Sequence, residues 1–324
     1  MPSLASTASI DHSITPEQDR ICPRGSWDVH HHIFDLDKFP LSPTRHFTPS
    51  PASLASFESF QHSLGIEHPC IAHGLSFGTD PSSLLHYLKY FDGTARAYAC
   101  IDIETASDEE IQNLKAQGVS GIRIDYHLHK AQHDLQRQIE CIKRYSDRVT
   151  PFGWGLQIYH PHPEFYDALT PIISSLSVSL VVDHFAGLKT ASLLTYQGID
   201  ASDFDAATQP GLQSICDLLR SNKLWIKLSA PYRCSEDTTY QDMKPLVRAL
   251  VDANPDRVLY GSDWPHTQPF HRRPKDLKGE DVESFVEFDD MAWLKTLKSW
   301  LTSEEWEKFM VHNPRRFTGY DRND

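Results

Sequence analysis

Residues 27–35 have the sequence Trp-Asp-Val-His-His-His-Ile-Phe-Asp. Side chains alternate along a β-strand, so a strand here projects His30 and His32 to one side and His31 to the other. Two imidazoles on one face of an apolar strand reduce stability unless they bind a metal ion, a substrate or polar partners. The stretch therefore indicates a site, and a surface histidine cluster is the alternative interpretation.

A second stretch lies near the carboxyl end of the chain. Residues 258–266 read Val-Leu-Tyr-Gly-Ser-Asp-Trp-Pro-His, an apolar run that stops at the carboxylate of Asp263. Histidines in the first strand and an aspartate after the last strand can meet only when these two strands are neighbours. The two stretches together predict a closed barrel.

Strand and helix patterns alternate between these stretches. Near-continuous apolar runs separated by helical segments are typical of parallel strands buried on both faces. No glycine-rich phosphate loop follows a strand, which disfavours an open doubly wound sheet. The predicted strands lie at residues 27–35, 69–77, 95–103, 119–124, 153–159, 179–184, 223–229 and 257–262. The sequence thus predicts one α/β domain, a single (β/α)8 TIM barrel.

The barrel is predicted to occupy residues 25–324, after a polar N-terminal arm at residues 1–24. Long loops are expected after strands 1, 6 and 8, the last two at residues 187–209 and 267–290. These loops follow the carboxyl ends of strands, where a barrel carries its functional residues. Both later segments are candidates for lids over a site.

Composition limits the classes of partner. The chain has 324 residues, 44 acidic and 31 basic, and a formal net charge of −13, which disfavours nucleic acid and anionic membranes. Six scattered cysteines without a Cys-x-x-Cys pair predict free thiols in a reducing compartment. No apolar run approaches the about 18 residues that span a bilayer, and no secretory signal pattern is present. We therefore expect a cytoplasmic protein with a small-molecule substrate; its oligomeric state is not predicted.

Polar residues cluster at the ends of the predicted strands. A charged Arg123 inside an apolar strand needs an anionic partner, which is either a substrate carboxylate or a structural ion pair with Asp102 or Asp125. A lone histidine at a strand end is often a core residue whose nitrogens are hydrogen-bonded within the protein. Several histidines that converge on one place instead indicate a functional site. The other residues of the cluster are His30, His32, Tyr159, His160, His184, Ser229, Tyr232, Arg233 and Asp263.

Several motifs resemble one known family. They are Asp28-x-His30-x-His32, Gly121-x-Arg123, Val182-Asp183-His184, Lys227-Leu228-Ser229 with Tyr232-Arg233, and Gly261-Ser262-Asp263-Trp264-Pro265-His266. Together they resemble the amidohydrolase superfamily, in the branch of 2-pyrone-4,6-dicarboxylate lactonases and related lactone hydrolases. The resemblance runs from about Trp27 to Tyr320, and Phe47 departs from it because relatives often carry Tyr there. It implies a (β/α)8 barrel that adds water to a lactone carbonyl, with a divalent metal ion in some members.

The residue types suggest how such a reaction would proceed. Asp263 is predicted as the general base, with His30, His32 and His184 polarising the carbonyl or holding one zinc ion together with Asp263. No metal is expected to be required, because Tyr159-His160 at the end of strand five supplies no carboxylated lysine. The residues predicted to bind the substrate are Arg123, Arg233, Tyr159, Tyr232, His266 and Arg45.

Two alternatives remain open from the sequence. A metal-dependent non-oxidative decarboxylase uses a related set of histidines and an aspartate on the same barrel. A barrel without catalysis that binds a metabolite or a partner protein is the other alternative. Release of carbon dioxide, compared with consumption of base, separates the first alternative from ester hydrolysis.

Overall fold

The computed structural model describes residues 20–320, which form the predicted barrel. Eight parallel strands make one sheet in sequence order, as in a (β/α)8 TIM barrel. The strands are β1 (Trp27–Asp28), β2 (His68–Ala72), β3 (Arg96–Ala99), β4 (Val119–Arg123), β5 (Gly155–Ile158), β6 (Leu180–Val182), β7 (Leu224–Ser229) and β8 (Val258–Gly261). The predicted fold class is therefore confirmed.

The barrel closes where β1 meets β8. Val29 N donates to the Tyr260 carbonyl at 3.1 Å, and Asp263 N donates to the His30 carbonyl at 2.7 Å. His31 then forms a parallel bridge with Trp264. The regular strand β1 is shorter than the predicted 27–35. Beyond Asp28 the chain forms only single hydrogen bonds and one isolated bridge with the neighbouring residues, without a continuous ladder.

Helices cover the outside of the barrel. They are α1 (Leu54–Leu64), α2 (Ser82–Tyr90), α3 (Asp108–Ala116), α4 (Leu135–Val149), α5 (Tyr166–Ser175), α6 (Ala191–Tyr196), α7 (Leu212–Arg220), α8 (Lys244–Ala253), α9 (Asp290–Trp300), α10 (Ser303–Glu307) and α11 (Asn313–Thr318). The apolar face of each long helix packs on the strands, as at Ile111 and Leu114 of α3. That helix begins with a capping box in which Ser107 and Glu110 exchange hydrogen bonds, as its sequence predicts.

The long loops lie at the carboxyl ends of the strands. Segment 187–209 contains α6, and segment 267–290 contains a short strand at Val282–Glu283. This short strand pairs in parallel with Thr48–Pro49, in the loop after β1. Two of the predicted long loops are thus joined to each other over one end of the barrel.

The predicted N-terminal arm falls mostly outside the described residues. Within it, Arg20 forms an ion pair with Glu67 at 2.8 Å, and the Cys22 side chain is buried. The boundary at residue 24 stays a prediction. All six cysteines are free and buried, and none of the helices within residues 20–320 has the length and hydropathy needed to cross a membrane.

Candidate active site

The residues after β1 bring two imidazoles into the barrel and turn a third away. His30 and His32 lie together, with ring centroids 5.0 Å apart. His31 faces outward and stacks on Phe57 at 4.0 Å, and its Nδ1 atom lies 3.3 Å from the Asp28 carboxylate. The structure therefore has the alternation that the sequence predicts.

His184 reaches the same space from the end of β6. It has a positive φ of 51°, and Phe185 and Ala186 continue this left-handed conformation, which L-residues rarely adopt. The His184 ring centroid lies 4.6 Å from that of His30, and its Nδ1 atom contacts Ser229 Oγ at 2.8 Å. A strained turn thus follows β6 at the point where this imidazole joins the other two.

Asp263 follows β8 and places one carboxylate oxygen among the imidazoles. Its Oδ1 atom lies 3.5, 3.8 and 3.7 Å from the Nε2 atoms of His30, His32 and His184. Oδ1 of Asp263 and Nε2 of His30 are buried and have no hydrogen-bond partner among the described residues. Polar atoms are costly to bury in this way, so the cluster has the character of an ion-binding site.

The protonation of the imidazoles agrees with this interpretation. Burial is the main cause that lowers the pKa of His30, His32 and His184, and a neighbouring cation adds to it in each case. The Nδ1 atom of His32 lies 2.7 Å from the Ala72 carbonyl oxygen, which can only accept a hydrogen bond. The proton of the neutral His32 ring is therefore on Nδ1, and Nε2 carries the lone pair that a metal ligand needs.

These residues fit a single divalent metal ion. Ligand atoms of His30, His184 and Asp263 all lie within 4.8 Å of one another. The Nε2 atom of His32 lies 3.8 Å from Asp263 Oδ1 but is not part of this group, so its role as a metal ligand stays a prediction. Neutral imidazoles with a carboxylate are a donor set typical of zinc. The structure thus brings together a donor set that could hold the metal ion, which the sequence left as the alternative to a metal-free site.

The second oxygen of Asp263 is held by the protein. Oδ2 accepts hydrogen bonds from the Tyr232 hydroxyl at 2.6 Å and from Arg233 Nη2 at 2.7 Å. Arg233 also donates to the carbonyl and the hydroxyl of Thr267, at 2.8 and 2.7 Å. Arg233 and Tyr232 therefore orient Asp263, and their predicted contact with the substrate stays a prediction.

Arg123 keeps donors available in the same space. Its Nη1 donates to the His73 carbonyl at 2.8 Å, and its Nη2 lies 3.8 Å from the Asp183 carboxylate. The structure has Asp183 in the place where the sequence suggested an ion pair with Asp102 or Asp125. A nearly buried guanidinium with unused donors is suited to a bound anion.

A cavity of about 70 Å³ lies beside the imidazoles and is called the reaction cavity below. Its lining includes Arg123, Tyr159, His32, His184, Asp263, Arg233, Arg273, Phe34, Phe47 and Phe270. Tyr159 packs edge-on against His184 with a centroid distance of 4.8 Å, and burial raises the pKa of Tyr159 to about 12. Its hydroxyl therefore keeps its proton at neutral pH and can donate a hydrogen bond.

Residues 27–319 match the sequence profile of the amidohydrolase family. The chain belongs to the amidohydrolase family. It is 28% identical over 305 residues to a 4-sulfomuconolactone hydrolase of Hydrogenophaga intermedia, covering 92% of this chain and 90% of the relative. It is 29% identical over 268 residues to a 2-pyrone-4,6-dicarboxylate hydrolase of Comamonas testosteroni, covering 78% and 81%. The predicted family and the predicted hydrolase class are thereby confirmed.

The fold of this amidohydrolase is also that of solved structures. A crystal structure of a protein from Agrobacterium tumefaciens superposes with a TM-score of 0.71 at 21% identity. The match covers 93% of this chain and 98% of the other. At this identity the likeness concerns the barrel architecture.

Two residues predicted to bind the substrate lie away from the reaction cavity of the amidohydrolase. The Nε2 atom of His266 lies 3.0 Å from the Asp290 carboxylate. Arg45 donates to the Thr48 hydroxyl and to the Ser42 carbonyl, at 2.7 and 3.0 Å. Each residue is in a loop, where no strand periodicity fixes the direction of the side chain, and its contact with the substrate stays a prediction.

His160, which follows Tyr159 just after the end of β5, also lies outside the reaction cavity. His160 is buried and stacks on Tyr166 with a centroid distance of 5.1 Å. Burial lowers its pKa to about 3. This histidine is part of the core of the amidohydrolase.

A charged pair beneath the imidazoles was not predicted from the sequence. Asp183 Oδ1 lies 3.1 Å from His30 Nδ1 and 3.1 Å from Lys227 Nζ, and both charged side chains are buried. Gln157 donates to the other Asp183 oxygen at 2.8 Å. The pair therefore supports the imidazole of His30 from behind. The sequence did contain a signal for this pair. Asp183 is a charged residue at the end of an apolar run, and Lys227 is a charged residue within one.

Proposed function

We propose that this protein opens a lactone ring by adding water to the carbonyl carbon, and that its substrate is a small carboxylated molecule. One observation carries the proposal. Asp263 Oδ1, which accepts no hydrogen bond from the described residues, faces the same small cavity as Arg123 with its unused donors. A base for water and a binding group for an anion are what hydrolysis of an acidic lactone requires. The names of the two relatives support the reaction class.

Asp263 acts as the general base in this proposal. Its Oδ1 accepts a proton from water while the water oxygen bonds to the carbonyl carbon. The bond from that carbon to the ring oxygen then breaks, and the proton passes from Asp263 to the departing oxygen, which gives a hydroxy acid. Tyr232 and Arg233 fix the carboxylate through Oδ2, so Oδ1 stays directed at the reacting water.

Arg123 and Tyr159 hold the substrate. The free guanidinium donors of Arg123 suit two oxygens of a carboxylate at once. The Tyr159 hydroxyl, which stays protonated, donates to an oxygen of the lactone group. These contacts place the carbonyl carbon beside Asp263 and exclude water from the rest of the reaction cavity.

The donor set also bears on metal dependence. His30, His32, His184 and Asp263 would hold a single zinc ion, which when bound polarises a carbonyl oxygen or activates water. Within the chain, the proton on Nδ1 of His32 leaves its Nε2 unable to donate a hydrogen bond to a substrate oxygen. Direct polarisation of the carbonyl by this histidine, one of the interpretations of the sequence, is therefore disfavoured.

The test is a hydrolysis assay over a panel of carboxylated lactones, with the zinc content of the protein measured beforehand. We expect consumption of base in proportion to ring opening, without release of carbon dioxide. Release of carbon dioxide from the corresponding acids would instead support the decarboxylase, and binding without turnover would support the non-catalytic barrel. The buried free thiols of all six cysteines fit the proposed cytoplasmic location.

A further inference from the structure

A cleft of about 600 Å³ adjoins the reaction cavity and is called the outer cleft here. The two share the side chains of Tyr159, Phe270 and Arg273 as walls. Five of the 18 histidines of the chain line the outer cleft, and the proposed reaction uses none of them. They are His46, His127, His133, His162 and His271.

Two of these histidines are in direct contact. His133, in the loop after β4, and His162, in the loop after β5, approach through Nδ1 and Nε2 at 2.6 Å. The Nδ1 atom of His162 lies 2.9 Å from a carboxylate oxygen of Glu164. Because an ionised carboxylate only accepts hydrogen bonds, the proton of the neutral His162 ring is on Nδ1. Its Nε2 atom therefore carries a lone pair that is directed at His133.

This arrangement is that of a metal ligand with the residue that supports it. A histidine that binds a metal ion usually donates its other N–H to a carboxylate or carbonyl, which fixes the tautomer and the orientation of the ring. The His162 ring also stacks on Phe165 with a centroid distance of 4.6 Å, and Pro161 and Pro163 flank it in the chain. His162 is therefore held ready to bind an ion through Nε2.

His133 is exposed and has room to adjust to an ion. Zinc–nitrogen bonds of 2.0–2.1 Å place two ligand nitrogens of a tetrahedral site about 3.3 Å apart, so the two rings, now 2.6 Å apart, would separate by about 0.7 Å. Partial burial and the neighbouring His162 lower the pKa of His133, so the ring is neutral at neutral pH. With its proton on Nε2, the ring offers the lone pair of Nδ1.

The charges around the pair bear on the strength of the site. Glu164 places a carboxylate beside His162, which favours a bound cation. Lys189 and Lys275 line the same cleft and oppose it. With two imidazoles as its protein ligands, the site should bind zinc more weakly than a site with three or four protein ligands.

We propose that His133 and His162 form a second metal site, for one zinc ion or another divalent ion that prefers imidazole ligands. Glu164 orients His162 in this site, and water completes the coordination. The site shares no residue with the donor set around Asp263. It therefore depends neither on the proposed reaction nor on a metal ion in the reaction cavity.

The experiment counts the zinc ions that the metal-free protein binds. Zinc chloride is titrated calorimetrically into the wild type, into the double variant His133→Asn with His162→Gln, and into His271→Gln. His271 is the matched control, because it lines the same cleft and its Nε2 atom lies 3.0 Å from the Glu236 carboxylate. We expect the wild type and His271→Gln each to bind one zinc equivalent more than the double variant. This difference holds whether or not the reaction cavity takes up an ion.

A third variant keeps both ligands. Glu164→Ala removes an exposed carboxylate, so folding is retained, and the second zinc site should bind about tenfold more weakly. An unchanged affinity in Glu164→Ala would overturn the orienting role of this carboxylate. Equal numbers of zinc ions in the wild type and the double variant would overturn the site itself, and so would an equal loss in His271→Gln.

Discussion

The two carboxylate oxygens of Asp263 differ, because Oδ2 accepts hydrogen bonds from Tyr232 and Arg233 whereas Oδ1 has no partner among the described residues. This difference predicts the effect of replacing the carboxylate by an amide. Asp263→Asn keeps the size of the side chain but cannot accept a proton from water. We expect kcat/KM to fall by about 10²–10⁴-fold, the usual contribution of a positioned base, with little change in folding. Steady-state kinetics over a range of pH checks this.

Asp203→Asn is the matched control, because Asp203 is exposed in the segment 187–209. It should leave the rate unchanged. If the acidic limb of the pH profile of kcat/KM is unaltered in Asp263→Asn, Asp263 only orients its neighbours, and the base is His184.

Arg123 and Arg233 should respond differently to the same substitution. Arg123→Met removes the free donors and should raise KM by about 10–100-fold, as expected for a charged hydrogen bond. Arg233→Met removes hydrogen bonds to Asp263 and Thr267, so it should lower kcat and the melting temperature. Kinetics and thermal unfolding of both variants decide this. A rise in KM alone for Arg233→Met would restore the interpretation made from the sequence.

The site could be predicted from the sequence where a strand fixes the side chain. His30 and His32 alternate with His31, and Asp263 follows the last apolar run, so strand period and barrel closure bring them together. Loops offer no such rule, which is why the direction of the His266 side chain was not predictable. Nor could the sequence show that the Arg233 guanidinium donates hydrogen bonds to Asp263 and Thr267.

The paired strands β6 and β7 place Asp183 and Lys227 behind His30, and this arrangement has a measurable consequence. Asp183→Asn weakens the support of the His30 ring and should lower zinc affinity by about 10–100-fold, as is usual for residues that orient a metal ligand. Competition with a chelator measures this in the absence of substrate. An unchanged zinc affinity would show that the pair serves folding alone.

Asp242→Asn is a suitable control for that measurement. Asp242 is a half-buried carboxylate outside the reaction cavity, where it accepts hydrogen bonds from Ser192 and Ser235 at 2.6 Å each. Its replacement should change stability without changing zinc affinity. The contrast separates a contact with His30 from the general loss of a buried charge.

The elements themselves were predictable to different degrees. Apolar runs located all eight strands, because parallel strands buried on both faces have a simple pattern. The regular part of β1 is only Trp27–Asp28, since the following residues pair irregularly at the seam of the barrel. The pairing of Val282–Glu283 with Thr48–Pro49 was not predictable, because two residues give no periodicity.

The whole molecule should lose stability in acid because of histidines that lie outside the metal-ligand set. Burial lowers the pKa of His46 to about 3, of His73 to about 4 and of His160 to about 3. Below pH 6.5 the unfolded chain binds protons at these positions and the folded chain does not, so stability falls as pH falls. Each contributes about 1.4 kcal/mol per pH unit between about pH 6 and 4.

Urea unfolding of the metal-free protein at several pH values measures this slope. His160→Gln should reduce it by about 1.4 kcal/mol per pH unit, whereas the exposed His312→Gln should not. A slope equal to that of the wild type in His160→Gln would mean that His160 is protonated in the folded state. The experiment does not depend on catalysis or on bound zinc.

The closure of the barrel between its first and last strands also bears on the order in which the molecule becomes functional during synthesis. His30 and His32 leave the ribosome early, His184 later, and Asp263 only when most of the chain has been made. Until then the nascent chain displays imidazoles without the carboxylate that completes the set. The complete donor set therefore forms late in synthesis, once the barrel has joined its two ends.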